Sequence, residues 1–387
     1  MSAPLDRGRD GSREPSTQGR SRALSMTLSI AAVAVVAIVV GLVLSRDGGG
    51  GLLASAGASP TPPLPATRLV AIPPRKIVNG AGALRVTLSA PPAEDSPRPT
   101  LNPAVPGSWS TEGDTEVFKP ASTLAPCGSY TLTVWKHTFA KEHSGLLERH
   151  VLPLHVACPS IAALQEALAR QGYIGAVLHP RYAVRVSRGP ESLNAAAEHA
   201  FLPYHGRLAP SPANAPPVAM GTLDETTKGA LEVFQADHNL EPTGQPDART
   251  WQLLMEVEAL GHRAPRPYTW VSVSEAEPET MEVHEGDRVA ISSAANTGVA
   301  GAETAQGIFP IYARYESTTM EGTDPDGTHY VAPDVPWVNY FNGGDAVHGY
   351  PRASYGFPQS NGCVELPIET AAAVYPRLQI GDIVWVT

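Results

Sequence analysis

Cys363 has the sequence surroundings of a reactive thiol. It lies in the run SNGCVEL at residues 360–366, and His348 precedes it by fifteen residues. A thiol becomes a nucleophilic thiolate near neutral pH only beside a base or a positive charge, and histidine is the usual base. Gly362 lets the backbone approach a reacting carbonyl closely and turn its amides toward an oxyanion. These residue types and their spacing predict a nucleophilic cysteine with a backbone turn that can face an oxyanion.

Other chemistries lack their signatures in the sequence. His348 and Cys363 have no third and fourth partners at metal-ligand spacing, and no glycine-rich phosphate loop stands at a strand-to-helix junction. We therefore expect no metal and no cofactor. From residue 268 to the end, 16 acidic and 4 basic side chains give an acidic segment. Because phosphate contacts need basic surface, this charge argues against nucleic-acid binding.

An uncharged apolar stretch near the N-terminus indicates export of the rest of the chain. Residues 23–45 carry no charge and are long enough to span a bilayer as one helix. Five arginines precede the stretch and Arg46 follows it, so the positive-inside rule places the N-terminus in the cytoplasm. A cleaved signal peptide, cut near Ala54–Ala56, is the alternative. The length of the stretch favours an anchor.

The three cysteines fit an exported protein. Cys127 and Cys158 fall in one predicted module, whereas Cys363 stands alone in another. Two exported cysteines in one small domain usually pair, and such a loop would stabilise the fold by roughly 3–4 kcal/mol. These positions predict a Cys127–Cys158 disulfide and leave Cys363 as a free thiol that can act as a nucleophile.

Composition and periodicity predict a multidomain, mainly β chain. Before the first folded domain we expect three segments: a cytoplasmic tail (1–26), a transmembrane anchor (27–45) and a Gly/Pro-rich linker (46–75). Short alternating apolar runs then favour a β-sandwich of immunoglobulin-like type at 76–159. Alternating runs return in the last domain, at 268–387.

Helical patterns occupy the region between the two β domains, at 160–260. Ser160, Asp224 and Asp247 each stand before an apolar pattern at helical spacing, which predicts three capped helices. A segment rich in Pro and Ala, at about 179–219, separates the first helix from the second and is interpreted as an insertion.

Two sets of motifs resemble known families. The sequence DAVHGYP at 345–351 and QSNGCV at 359–364 resembles the signature of the YkuD-type L,D-transpeptidases, which reads roughly HG, a loop, then SHGCVRL. The region 160–260 resembles the three-helix peptidoglycan-binding domain, because it contains, in order, the short motifs LQ, GY, GTLD, VFQ and TW. The first resemblance implies a β-rich catalytic domain over 268–387.

The resemblance also implies roles for individual residues. Cys363 would be the nucleophile and His348 the general base, with the carbonyl of Gly349 accepting the other imidazole proton. The amides of Gly362 and Cys363 would form an oxyanion hole. The residues expected to shape the turn or to line the substrate site are Ser360, Asn361, Tyr340 and Glu365.

Two positions depart from the family pattern. Asn361 replaces the usual histidine, and an amide cannot take a proton at physiological pH. The chain is inactive if that position is the essential base, and active if His348 is; we favour the second. Glu365 replaces the usual arginine and would repel a substrate carboxylate. This suggests a preference for amidated or neutral stem peptides, or a place for the cationic amine.

The resemblance implies a cell-wall L,D-transpeptidase that forms 3-3 peptidoglycan cross-links through a cysteine thioester. Its partners would be peptidoglycan stem peptides and glycan, with the membrane contacted by one N-terminal helix and the catalytic part extracellular. Two alternatives stay open: an L,D-carboxypeptidase that uses water as the acceptor, and a wall-binding scaffold whose catalytic domain has decayed.

Overall fold

The described part of the chain is mainly β-sheet, with its longer helices between two β-rich regions and a short helix near the C-terminus. The computed structural model describes residues 62–77, 80, 82–179, 195–196, 200, 207–210 and 214–387. The predicted tail (1–26), the predicted anchor (27–45) and most of the predicted insertion lie outside these residues. Within the part described, no helix is long and apolar enough to cross a membrane.

Two four-stranded sheets form an N-terminal β-sandwich. In spatial order the first sheet contains β1 (Leu69–Ala71), β3 (Leu84–Leu88), β6 (Thr115–Pro120) and β5 (Gly107–Glu112). The second contains β2 (Lys76–Ile77), β8 (His150–Val156), β7 (Ser129–Val134) and β4 (Thr100–Asn102). Apolar side chains from both sheets meet in one core.

The sandwich begins before the predicted boundary at residue 76. Strand β1 lies inside the segment predicted as linker, because Leu69 packs against the sandwich core and pairs with Leu88. At the other end, Cys127 and Cys158 form a disulfide, as predicted. It joins the chain just before β7 to the chain just after β8.

Three helices that the structure describes from end to end follow, each starting at a side-chain cap. They are α1 (Ile161–Gln171), α2 (Glu225–Asp237) and α3 (Ala248–Leu260). Ser160, Asp224 and Asp247 each accept a hydrogen bond from the amide three residues later, which satisfies an otherwise unpaired donor. The buried core of this module includes Leu164, Leu168, Leu231, Phe234 and Trp251. A ribbon of β9 (Ala176–His179) and β10 (Arg207–Pro210) lies between α1 and α2.

Two further sheets build the C-terminal domain. The five-stranded sheet has the order β13 (Arg288–Ala294), β12 (Thr280–Glu285), β11 (Thr269–Ser274), β19 (Ile383–Val386) and β14 (Gly307–Pro310). The four-stranded sheet runs β15 (Ala313–Thr323), β16 (His329–Asn342), β17 (Asp345–Gly349) and β18 (Val364–Leu366). A short helix, α4 (Ile368–Val374), follows β18.

One apolar core holds these two sheets and α4 together. Val271 and Val384 from the five-stranded sheet, Val347 and Val364 from the four-stranded sheet, and Val374 from α4 are all almost completely buried. Strands β17 and β18 are therefore fixed from both sides. This matters because His348 lies on β17 and Cys363 immediately precedes β18.

Helix α2 packs against the C-terminal domain through two glycines. A Cβ atom at Gly229 would overlap the carbonyl oxygen of Gly381 and lie 2.7 Å from Cδ1 of Ile383. An ion pair between Arg266 and Asp382, 2.5 Å long, lies in the same region, with the Asp382 side chain buried. The helical module and the C-terminal domain thus share a close backbone contact that only glycine permits.

We predict that Gly229→Ala destabilises the protein, although alanine is the better helix former by about 1 kcal/mol. The added methyl group meets backbone, which cannot move aside, so a net loss of about 1–3 kcal/mol is expected. Thermal unfolding monitored by circular dichroism measures it. Gly82→Ala is the matched control, since a Cβ there meets no heavy atom within 4 Å. Equal melting temperatures for Gly229→Ala and the unmutated chain would contradict the close contact.

Candidate active site

His348 is held rigidly in the middle of the C-terminal domain. It lies on β17, between β16 and β18, and its side chain is 3% exposed. Its Nδ1 lies 3.0 Å from the carbonyl oxygen of Gly349. Because a carbonyl can only accept, Nδ1 carries the proton and Nε2 is left as the basic nitrogen. Burial lowers the pKa of His348 below its ordinary 6.5, so the imidazole is neutral at physiological pH.

Cys363 reaches the same cleft as His348 through the parallel pairing of β17 and β18. In this register His348 lies opposite Glu365, two residues after the cysteine. The cleft has a volume of about 660 Å³, and His348, Cys363, Ser360 and Asn361 are among the residues that line it. The structure thus brings together the two residues from which the sequence predicts covalent chemistry.

The resting thiol is protonated. Burial raises the pKa of Cys363 to about 12, while a hydrogen bond from the amide of Ala346 acts in the opposite direction. The thiol lies 3.6 Å from the carbonyl oxygen of Gly344. A neutral thiol beside a neutral imidazole is a different starting point from a thiolate–imidazolium pair. From this starting point the thiol has to lose its proton as the sulfur attacks.

The turn before Cys363 depends on glycine and serine. Gly362 has φ +105°, and a Cβ there would lie 2.5 Å from Oδ1 of Asp345. Ser360 is buried and its hydroxyl donates to the carbonyl oxygen of Cys363 at 2.5 Å. Among the described residues no acceptor takes the amides of Gly362 or Cys363. Both amides are consequently available to a negatively charged oxygen.

Asn361 is tied to the hairpin that lines the cleft. Its Nδ2 donates to Oδ1 of Asp324 at 2.5 Å, and its side chain is close enough to the Tyr330 hydroxyl to lower that group's pKa, against the larger raising effect of burial. Asp324 lies in the turn between β15 and β16, and Tyr330 lies on β16. An amide in this position fixes the catalytic turn to the hairpin without taking a proton.

Glu365 does not stand in the cleft as an unpaired negative charge. Its side chain is 6% exposed, and its two carboxylate oxygens accept hydrogen bonds from Nε and Nη2 of Arg352, each 2.7 Å long. The hypothesis that Glu365 repels a substrate carboxylate assumes a free charge. The fork-to-carboxylate pairing with Arg352 removes that premise.

Tyr340 packs against the same apolar cluster as Cys363 and is absent from the cleft lining among the described residues. It pairs with Ala346 across β16 and β17, and its ring lies 6.1 Å from those of Tyr312 and Tyr315. This position suits a packing residue better than one that lines the acyl-donor site.

Sequence reasoning missed three cleft residues: Arg352, Asp324 and Tyr330. Arg352 carried a detectable signal, since it is the one basic residue between His348 and Cys363. Glu365 in place of an arginine already called for a compensating cation nearby. Asp324 and Tyr330 gave no comparable signal, because their contact with Asn361 depends on how the hairpin folds back.

A metal site is also absent from the part of the chain that the structure describes. No group of three or more His, Cys, Asp or Glu side chains there is arranged to hold an ion. The polar groups at the cleft include a thiol and an imidazole, which acyl transfer through a cysteine uses.

Family models match two parts of the chain. Residues 268–386 match the YkuD family, the L,D-transpeptidase catalytic domain, and residues 207–254 match a peptidoglycan binding domain. The chain therefore contains a YkuD-type catalytic domain and a peptidoglycan-binding domain, and the predicted resemblances are confirmed. The match assigns residues 268–386 to the class of L,D-transpeptidase catalytic domains.

Solved structures of similar proteins include three L,D-transpeptidases. The catalytic domain of an Enterococcus faecium L,D-transpeptidase acylated by ertapenem is 24% identical, with 31% of this chain and 96% of that chain covered and a TM-score of 0.28. L,D-transpeptidase 3 from Mycobacterium tuberculosis with a faropenem-derived adduct is 14% identical. The match covers 83% of this chain and 97% of that chain, with a TM-score of 0.28. An L,D-transpeptidase from Mycobacterium smegmatis is 12% identical. The match covers 83% of this chain and 99% of that chain, with a TM-score of 0.28. No curated protein matches.

We predict that acylation of Cys363 loses rate only on the acid side of the ordinary histidine pKa. Because burial lowers the pKa of His348, its basic form persists below pH 6.5, and the rate should be flat from about pH 7 upward until the thiol ionises. Stopped-flow or mass-spectrometric rates of acylation by ertapenem between pH 5 and 8.5 measure this. A rate that climbs steadily from pH 7 to 8.5 would instead indicate that pre-formed thiolate limits the reaction.

Proposed function

We propose that the chain is a peptidoglycan L,D-transpeptidase that forms 3-3 cross-links through a thioester on Cys363. The Cys363 sulfur attacks the carbonyl carbon of residue three of a donor stem peptide, and its proton passes to Nε2 of His348. The oxyanion is held by the amides of Gly362 and Cys363. Collapse of this tetrahedral intermediate breaks the bond to the terminal D-alanine, whose amine takes the proton from His348 and leaves.

The second half of the reaction reverses the proton movement. A side-chain amine of another stem attacks the thioester carbonyl and gives its proton to His348. The new amide bond forms, and the Cys363 sulfur recovers the proton from His348 as it leaves. No atoms or electrons are left over, so the cycle needs no cofactor.

The observation that carries this proposal is that Cys363 and His348 line a single cleft, with two unengaged amides in the turn that ends at Cys363. A buried thiol that only packed would not require a glycine at φ +105° or amides left without acceptors. The neutral imidazole with its Nδ1 proton on the Gly349 carbonyl is in the form that a general base needs.

Two alternatives remain as competing hypotheses. A decayed scaffold would be expected if position 361 supplied the base, because Asn361 cannot. The contacts of Asn361 with Asp324 and Tyr330 favour a structural role for that residue and leave His348 as the base. An L,D-carboxypeptidase would use the same donor half-reaction and differ only in accepting water.

We further propose that the remaining segments hold the catalytic domain in the wall. The helical module would bind glycan, which raises the effective concentration of stem peptides near Cys363. Residues 27–45 would anchor the chain, with all that follows on the outside. The mass of the mature chain separates an anchor from a signal peptide, since cleavage near Ala56 would remove the whole apolar stretch.

The decisive assay follows muropeptide products. With disaccharide-tetrapeptide as the only substrate, we expect 3-3 dimer and released D-alanine from the unmutated chain and neither from Cys363→Ala. Asn361→Ala should retain at least part of the activity, because His348 is the base. Tripeptide without dimer would favour the carboxypeptidase, and no turnover by a folded chain would favour the scaffold.

The same assay addresses the substrate preference first inferred from Glu365. Since Arg352 neutralises that carboxylate, we expect amidated and free-acid stems to react at similar rates, within about threefold. A large preference for amidated stems would show that Glu365 acts on the substrate despite its partner.

A further inference from the structure

Arg352 connects three points of the segment that joins the two reactive residues. It lies between His348 and Cys363, and its Nε and Nη2 grip both carboxylate oxygens of Glu365 on β18. Nη2 also donates to the carbonyl oxygen of Gln359 at 2.9 Å. One guanidinium thus links the start of the connection, its end and the strand that follows Cys363.

The rest of the connection is organised around the same arginine. Its guanidinium lies 4.8 Å from the centre of the Tyr350 ring, a favourable stacking arrangement for arginine. The Arg352 amide donates to the Tyr355 hydroxyl at 3.2 Å, and that hydroxyl donates to the carbonyl oxygen of Tyr350 at 2.6 Å. The loop is therefore held together by hydrogen bonds and a stacking contact that centre on Arg352.

The backbone of Glu365 is held in place, so its side chain stays beside Arg352. Its backbone amide donates to the carbonyl oxygen of Asn296 at 2.9 Å, and its own carbonyl oxygen accepts from the Asn296 amide at 3.0 Å. On the other side, β18 pairs with β17 and places Glu365 opposite His348. A carboxylate buried this deeply is strongly unfavourable without a partner, so loss of Arg352 would disturb the site itself.

The pair also sets the electrostatic environment of the imidazole. Beyond the dominant effect of burial, the Glu365 carboxylate raises the pKa of His348 and the Arg352 guanidinium lowers it, so the two effects oppose each other. The other titratable side chains near the cleft or on α4 are Asp324, Tyr330, Asp334, Tyr350, Cys363 and Glu369. Those six are unchanged in the variants below.

We propose that Arg352 and Glu365 are a positioning pair for the acylation step, which hold the connection between His348 and Cys363 in its reactive geometry. Glu365 stands where the family signature has an arginine. Its pairing with Arg352 makes a glutamate at this position compatible with catalysis. Neither residue exchanges a proton with the substrate. This inference rests on the proposed function, because it assumes that His348 activates Cys363.

The test uses the full chain and the rate constant for acylation by ertapenem, measured from pH 5 to 8.5. The variants are Arg352→Met, Glu365→Gln, the double variant and Arg352→Lys, which keeps the charge but loses the fork. Arg288→Met is the matched control, since Arg288 forms an exposed ion pair with Glu285 in the same domain. Melting temperatures identify variants that fail to fold.

We expect Arg352→Met to acylate about 10- to 100-fold more slowly at pH 7.5, with Arg352→Lys recovering part of the rate. The midpoint of the acid limb should move to higher pH in Arg352→Met and to lower pH in Glu365→Gln, and return toward the original value in the double variant. A purely structural role would lower rates without opposite shifts. Arg288→Met should match the unmutated chain.

The inference is overturned if the unmutated chain acylates and all pair variants stay within about twofold of it, or if their midpoints do not move in opposite directions. Should Arg352→Met fail to fold, the midpoint of Glu365→Gln alone decides. An unmutated chain that does not acylate would mean that the proposed function has failed, and the inference falls with it.

Discussion

Parallel pairing between two short strands, β17 and β18, is the constraint on which the site depends. His348 lies within the first strand, and Cys363 sits directly ahead of the second. Parallel neighbours cannot be joined by a tight hairpin, so the chain must make a longer excursion before it returns beside itself. The excursion, residues 350–363, carries the catalytic turn at its end. Because both strands are buried in the domain core, any change in their register would separate Cys363 from His348.

The electrostatics of the cleft follow from the same burial. Desolvation raises the pKa of the thiol and lowers that of the imidazole, so both groups are uncharged at rest. An enzyme that holds a neutral pair does not expose a reactive thiolate to solvent and acquires nucleophilicity only as a substrate is attacked. The charged groups of the site, Arg352 and Glu365, are instead paired with each other, where they organise the loop.

Much of the local structure could be predicted because its causes are local. The helix starts at Ser160, Asp224 and Asp247 depend on a single cap residue followed by apolar spacing, and the structure has all three. The Cys127–Cys158 disulfide followed from cysteine number and predicted export. Contacts that depend on tertiary folding were not predictable in this way. The Arg352 partner of Glu365 and the glycine contact between α2 and Gly381 require knowledge of how distant segments approach.

The central claim is that Cys363 is an activated nucleophile even though Asn361 stands where the family pattern has histidine. Intact-mass spectrometry of the full chain after incubation with a carbapenem, beside Cys363→Ala, tests it most directly. The account predicts one stable adduct of the drug's mass on the unmutated chain and none on the variant. A folded, unmutated chain that stays unmodified, or an adduct that persists on Cys363→Ala, would contradict it.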